Sequence, residues 1–165
     1  MMRVEIGVTM PTVFLICGLP GSGKTTLARE LERDRSALRL AEDDWMSGLF
    51  GSTDGHGEAE RERIKGVQWA IAERILGLGI DVVLDWGVWS RAERDDYRAR
   101  AAAIGVNLEL RYLDVPRDEL WRRIAARNAS LPPDTFHINE SELDYWWNIF
   151  EPPTSDELII DEPGR

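Results

Sequence analysis

Apolar positions along the chain come in two alternating textures: short runs of adjacent aliphatic residues, and longer stretches in which one apolar residue recurs every three or four positions. The short runs predict five strands, at Val13 to Cys17, Leu38 to Ala41, Ile80 to Leu84, Val106 to Leu113 and Leu158 to Ile160. Between them, Lys24 to Asp34 keeps Leu27 and Leu31 on one face, and a second helix aligns Ile64, Val67, Ile71, Ile75 and Leu78. Ser90, with Glu93 three residues on, has capping-box spacing, so a further helix starts there and runs towards Ile104, with Gly105 as its stop. The next, from Pro116 to about Ala129, buries Leu120, Trp121 and Ile124 and ends at Leu131-Pro132-Pro133-Asp134. Leu143, Trp146, Trp147 and Phe150 fall at core-facing helical spacing before Glu151 to Glu157 turns the chain into the last strand.

Strands alternating with helices in this way predict an α/β fold, a five-stranded parallel sheet between helical layers. No internal repeat, low-complexity tract or linker interrupts the pattern, so residues 1–165 read as one domain. Residues 1–10 form an extended or flexible start in which Val4, Ile6 and Val8 alternate as in an edge strand, and residues 116–150 supply a lid and C-terminal helices.

Composition narrows the partners. The formal net charge of −10 repels polyanions, so nucleic acid is an unlikely partner without a local basic patch, and a small molecule is favoured. Cys17 is the single cysteine and ends an apolar run, which predicts a packed thiol, no intrachain disulfide and a reducing, cytoplasmic setting. No apolar run reaches membrane-spanning length, and Met1 to Met10 lacks the apolar region of a secretory leader. No feature of the sequence fixes an oligomeric state.

The sharpest chemical signal follows the first strand. Gly18, Gly23, Lys24 and Thr25 satisfy G-x-x-x-x-G-K-[ST] between a strand and a helix, the context this motif requires. Glycines let successive backbone N–H groups wrap a phosphate, and the helix N-terminus adds positive potential. Gly18, Pro20, Gly21, Ser22, Gly23, Lys24, Thr25 and Thr26 are therefore the candidate nucleotide-binding residues. Lys24 is expected to bridge the β- and γ-phosphates, and the Thr25 hydroxyl to ligate Mg²⁺.

Ligands of open parallel sheets bind beyond the strands' carboxyl ends. There the sequence places Glu42-Asp43-Asp44, Asp85 and Asp114. Asp85 suits a carboxylate that orders Mg²⁺, and Asp43 one that accepts the proton of an attacking alcohol, with Asp44 as the alternative base. Arg123 and Arg127, four apart on a helix, are candidates to close over a transferring phosphoryl group. Trp45, Trp86 and Trp89, just after the candidate carboxylates, suggest an aromatic acceptor pocket. Arg91 and Arg94 open the helix beyond Asp85, and position favours Arg91 for substrate. Gln68, the glutamine considered for positioning a hydrolytic water, lies on a helix far from the strand ends. His56 and His137 have no ligand partner at metal spacing.

Four segments together resemble the P-loop kinases of the polynucleotide-kinase and chloramphenicol-phosphotransferase group: GLPGSGKTT, EDDW, VVLDWGVWSRAER and LDVPRDELWRRIAARN. The resemblance runs from about Pro11 over nearly the whole chain. It implies a three-layer P-loop fold, ATP and Mg²⁺ as cofactors, Asp43 as general base, Asp85 as second active-site aspartate and Arg127 as a lid arginine. The family places an arginine shortly after the aspartate pair, where this chain has Met46. With the acidic charge, that departure favours a small-molecule hydroxyl (an antibiotic, nucleoside or sugar) as acceptor. The alternatives are a polynucleotide 5′-hydroxyl kinase of RNA repair and a nucleotide-dependent binding switch with slow ATPase activity.

Overall fold

In the first strand side chains alternate between two faces, and each face meets a different helical layer. The computed structural model describes residues 10–51, 57–130 and 137–158. Strand β1 (Thr12–Cys17) turns Phe14 and Ile16 towards helix α1 (Lys24–Arg35), where they pack with Ala28 and with Val83 of β3 (Val82–Asp85). Val13, Leu15 and Cys17 face the other way. With Leu40 of β2 (Leu38–Ala41), Val82, Leu84 and Leu110 of β4 (Asn107–Tyr112), they meet Trp69, Ala72 and Leu76 of α3 (Glu58–Leu76) and Tyr97 of α4 (Arg91–Ala103). Helices α5 (Arg117–Asn128) and α6 (Glu140–Ile149) close a third cluster, Leu19, Leu120, Ile124, Ile138 and Leu143, over the end of β1.

The strands run in the order β2-β3-β1-β4, all parallel, with Ala41 level with Asp85 and Cys17 level with Tyr112. Their carboxyl ends thus share one rim, and strand order reverses around β1, where a crevice for a ligand opens.

The described residues hold four strands, not five. Leu158 sits in a bend, and the rest of the expected fifth strand lies outside the described residues, as does the edge strand expected at Val4 to Val8. Glu42-Asp43-Asp44 opens a helix that apolar periodicity does not predict: Ala41 caps α2 (Glu42–Phe50), and all three acids occupy its first turn, where the helix dipole favours negative charge. Two corrections concern other helices. Helix α3 presents a different stripe from the one expected. Its buried face is Ile64, Lys65, Gln68, Trp69, Ala72 and Leu76, while Val67 is 53% exposed and Leu78, beyond the helix, 74%. Lys65 and Gln68 have polar partners inside, so the true face contains polar residues that a purely apolar count passes over. On α6 Leu143 is fully buried and Trp146 half-buried, but Trp147 is 41% exposed rather than core-facing.

Candidate active site

The loop after β1 is shaped by what leans on it. Gly21 has φ 81°, and a Cβ there would stand 3.0 Å from Ile124 Cγ1 and 3.3 Å from the Leu120 carbonyl, so α5 packs directly against the loop backbone. Helix α1 starts at Lys24 after Gly23 with no side-chain cap, leaving its first-turn amides to a ligand. The Lys24 ammonium donates to the Leu19 carbonyl at 3.0 Å, and burial pulls its pKa down against the opposing pull of Asp85 and Asp43. Gly87, with φ 62°, lets the β3 loop pass beside this lysine; a Cβ there would meet Lys24 Cε at 3.2 Å.

Asp85 closes β3 with its side chain 5% exposed. Burial pushes its pKa up, while Lys24, a hydrogen bond from Thr25 and Arg39 pull it back. Arg39, on β2, reaches Asp85 at 3.3 Å and Asp44 at 2.5 Å. The two candidate bases are thereby separated: Asp44 is held by an arginine behind the site, whereas Asp43 is 63% exposed and contacts Arg61 of α3 at 3.2 Å. Asp43 also lies within electrostatic reach of both Lys24 and Arg127.

The two α5 arginines differ in the same way. Arg123 is tethered, its Nε to Glu119 at 2.6 Å and its Nη1 to the Gly21 and Ser22 carbonyls at 3.5 Å. Arg127 keeps Nε and Nη2 buried with no hydrogen-bond partner, and burial lowers its pKa. An always-charged fork left unpaired inside a cavity suits an anionic ligand.

These groups line one cavity of about 1070 Å³. Lys24, Thr25, Asp85, Arg123 and Arg127 line it around the phosphate loop, and Asp43, Asp44, Arg61, Lys65, Trp89 and Trp146 complete the lining named here. Trp86 also lines it but is 7% exposed, with its indole N–H donated to Gln68 and its ring 5.1 Å from Tyr97, so it serves the core as much as the pocket. Trp89 stands 5.9 Å from Trp146. Two expected substrate residues are absent from the lining: Trp45 packs against the core, and Arg91 pairs with Asp156 and Asp95 on the outer surface. Among the described residues no cluster of three metal-binding side chains occurs. His56 lies outside the described residues, and His137 is exposed.

Sequence reading missed Arg39, Arg61 and Lys65, and misplaced Gln68. Arg61 pairs with both Glu42 and Asp43, and Lys65 with Glu93 at 2.9 Å. Gln68 is not far from the strand ends. Fully buried, it donates to the Ala41 carbonyl at 3.0 Å and accepts from Trp86, joining the ends of β2 and β3. The signal was present as a polar series, Arg61, Lys65 and Gln68, at helical spacing along α3.

A family model described as an AAA domain matches residues 13–153. The chain belongs to that AAA domain family. Its fold is that of the P-loop kinases. A chain of the Pnkp1/Rnl/Hen1 RNA repair complex is 26% identical with a TM-score of 0.62, over 69% of this chain and 39% of that one. A second structure of the complex aligns over 47% of its chain, so this chain spans less than half the length of either. A gluconokinase from Sinorhizobium meliloti 1021 superposes with a TM-score of 0.63 at 19% identity, over 93% of this chain and 85% of that one. The APS kinase CysC of Mycobacterium tuberculosis, in complex with AMPPNP and APS, does so with 0.64 at 18% identity, over 88% and 85%. Among curated proteins nothing matches. An RNA repair complex among the similar structures removes support for the expectation that nucleic acid is an unlikely partner. No helix among the described residues is long and apolar enough to cross a membrane.

Proposed function

We propose that this chain, taken as one cytoplasmic kinase-like domain with residues 116–150 as its lid and C-terminal helices, is a phosphotransferase that moves the γ-phosphoryl group of ATP to a hydroxyl of a small molecule. The observation that carries the reading is the unpartnered, buried fork of Arg127, facing a cavity whose other walls hold Lys24 and Asp43. The cradle fits a nucleoside triphosphate, and Thr25 with Asp85 fits Mg²⁺, which when bound neutralises charge on the phosphate oxygens. Lys24 and the first-turn amides of α1 hold the phosphates. Asp43 takes up the acceptor's hydroxyl proton as that oxygen bonds to phosphorus and the bond to the nucleoside diphosphate breaks. Arg127 supplies the fork for the equatorial oxygens, and Arg123 secures α5 to the loop.

A polynucleotide 5′-hydroxyl kinase is the second reading, favoured by the 26% identity to a chain of the RNA repair complex. A switch with slow ATPase activity finds less support, because Gln68 is fully buried outside the cavity lining, its amide spanning Ala41 and Trp86. The deciding experiment is transfer from γ-labelled ATP with Mg²⁺ to a panel of nucleosides, sugars, aminoglycoside and phenicol antibiotics and 5′-hydroxyl oligonucleotides, beside Asp43→Asn. Label on one small-molecule class, lost in the variant, supports the proposal. Label on the oligonucleotide alone moves the function to repair, and slow hydrolysis without transfer moves it to the switch.

A further inference from the structure

Arg94 is the largest fully buried side chain among the described residues, and it stands behind the cavity rather than in its lining. Its guanidinium grips Glu157 with two bonds, Nε to Oε2 at 2.7 Å and Nη2 to Oε1 at 3.0 Å. Its remaining nitrogen, Nη1, donates to the carbonyls of Glu151 at 2.9 Å and Trp89 at 3.3 Å. The Trp89 carbonyl accepts a second bond, from the Glu151 amide at 3.0 Å. Glu157 is 4% exposed and also takes the Thr154 amide at 3.1 Å, so the turn of residues 151–157 is itself folded around the carboxylate.

This pair ties the C-terminal turn to the loop of residues 86–90 between β3 and α4. That loop carries Gly87 beside Lys24 and the Trp89 ring in the acceptor wall, and its Val88 carbonyl accepts the Cys17 thiol at 3.0 Å. Buried ion pairs often add little net stability over apolar replacements of similar volume, so stability alone does not account for this one. What it does is join the Trp89 and Glu151 carbonyls through one guanidinium, beside the bond the Glu151 amide makes to Trp89 and the one the Trp89 amide makes to Glu93. We propose that Arg94 is a positioning residue: paired with Glu157, it clamps the 86–90 loop and thereby sets the acceptor wall. The consequence for an acceptor rests on the kinase reading; the clamp itself does not.

Cys17, the single thiol, reports on the clamp without any substrate, because the loop covers it. The full chain is compared with Arg94→Lys and with the apolar double variant Arg94→Met with Glu157→Met, by thermal melting, urea unfolding and labelling with an aromatic disulfide reagent. Either single charge left alone threatens folding, so the double variant, matched in stability, decides. A double variant with native melting temperature whose Cys17 is labelled about tenfold faster supports a clamp, since it shows local opening without global loss. Native stability together with a native labelling rate overturns it. Where the transfer panel yields an acceptor, the same variant raises its KM about fivefold and leaves the KM for ATP unchanged, a split that a purely structural role does not produce. Failure of all transfer refutes the kinase reading while the thiol rates still decide the clamp.

Discussion

Asp43 and Asp44 are adjacent in sequence and on the same helical turn, but their neighbours give them different work. Asp44 is anchored to Arg39, which also holds Asp85, and Asp43 projects over the cavity against Arg61. Asp43→Asn is expected to lower kcat by roughly 10²–10⁴ and leave ATP affinity unchanged, the size of a lost general base. Asp44→Asn is expected to cost less than about tenfold, through a displaced Arg39. Steady-state kinetics with titration of ATP binding checks both, and equal losses would return the choice of base to the open. Glu157 makes a prediction about pH. Arg94 first of all holds its carboxyl down at about 2, below the value of about 4.5 for a free glutamate. The stabilisation tied to this carboxylate, from Arg94 first and also from the Thr154 amide and Arg98, is therefore complete above the unfolded pKa and is lost as pH falls from about 4.5 towards 2. Urea unfolding at stepped pH should show this acid-limb slope in the native chain and a shallower one in Glu157→Gln; identical slopes would remove the carboxylate from the linkage.

Among elements, the rim is held together by groups that apolar periodicity does not reveal. Gln68 on α3 joins the ends of β2 and β3, so Gln68→Leu leaves the Trp86 indole N–H buried without a partner, while the Ala41 carbonyl keeps its place as the N-cap acceptor of α2. Unfolding should show a loss of about 1–3 kcal/mol. A loss under about 0.5 kcal/mol would mean that water replaces the amide. In the loop after β3, Gly87→Ala adds a left-handed alanine, about 1–2 kcal/mol, and a contact at 3.2 Å with Lys24 Cε. Gly79→Ala shares the positive φ but meets open space, so only the Gly87 variant should also weaken ATP binding, by about tenfold. Equal ATP affinities in the two variants would show that Lys24 moves aside freely. The same contrast explains what could be read beforehand. The strands β1 to β4, the α1 and α5 stripes, the Ser90 cap and the phosphate loop follow from local pattern, and each is found. The helix at Glu42 went unpredicted because apolar periodicity passes over a first turn of three acids, which the helix dipole favours. Arg94 was missed because charge pointed to solvent, and its partner is 63 residues away.

For the molecule as a whole, charge offers a test between the two kinase readings. The chain carries a formal −10, and the cavity shares the imbalance: beyond the residues around the phosphate loop, acids from Glu42 to Glu142 outnumber Arg61 and Lys65, both of which are already paired with acids. A polynucleotide would bring a row of phosphates to that wall. Proteins built for nucleic acid neutralise phosphates and release counterions, so their affinity falls as salt rises. On the small-molecule reading proposed above, repulsion by the acidic surface is expected instead. Raising salt from about 0.01 M to 0.1 M shortens the screening length from about 30 Å to about 10 Å, which weakens the repulsion reaching an oligonucleotide outside the cavity. The KM for a 5′-hydroxyl oligonucleotide should therefore fall as salt rises over that range, while that for an uncharged small alcohol stays constant. Both are measurable with the same labelled ATP at fixed free Mg²⁺. A KM for the oligonucleotide that climbs with salt would reveal a basic track that this wall does not supply, and would make RNA repair the better account of the protein.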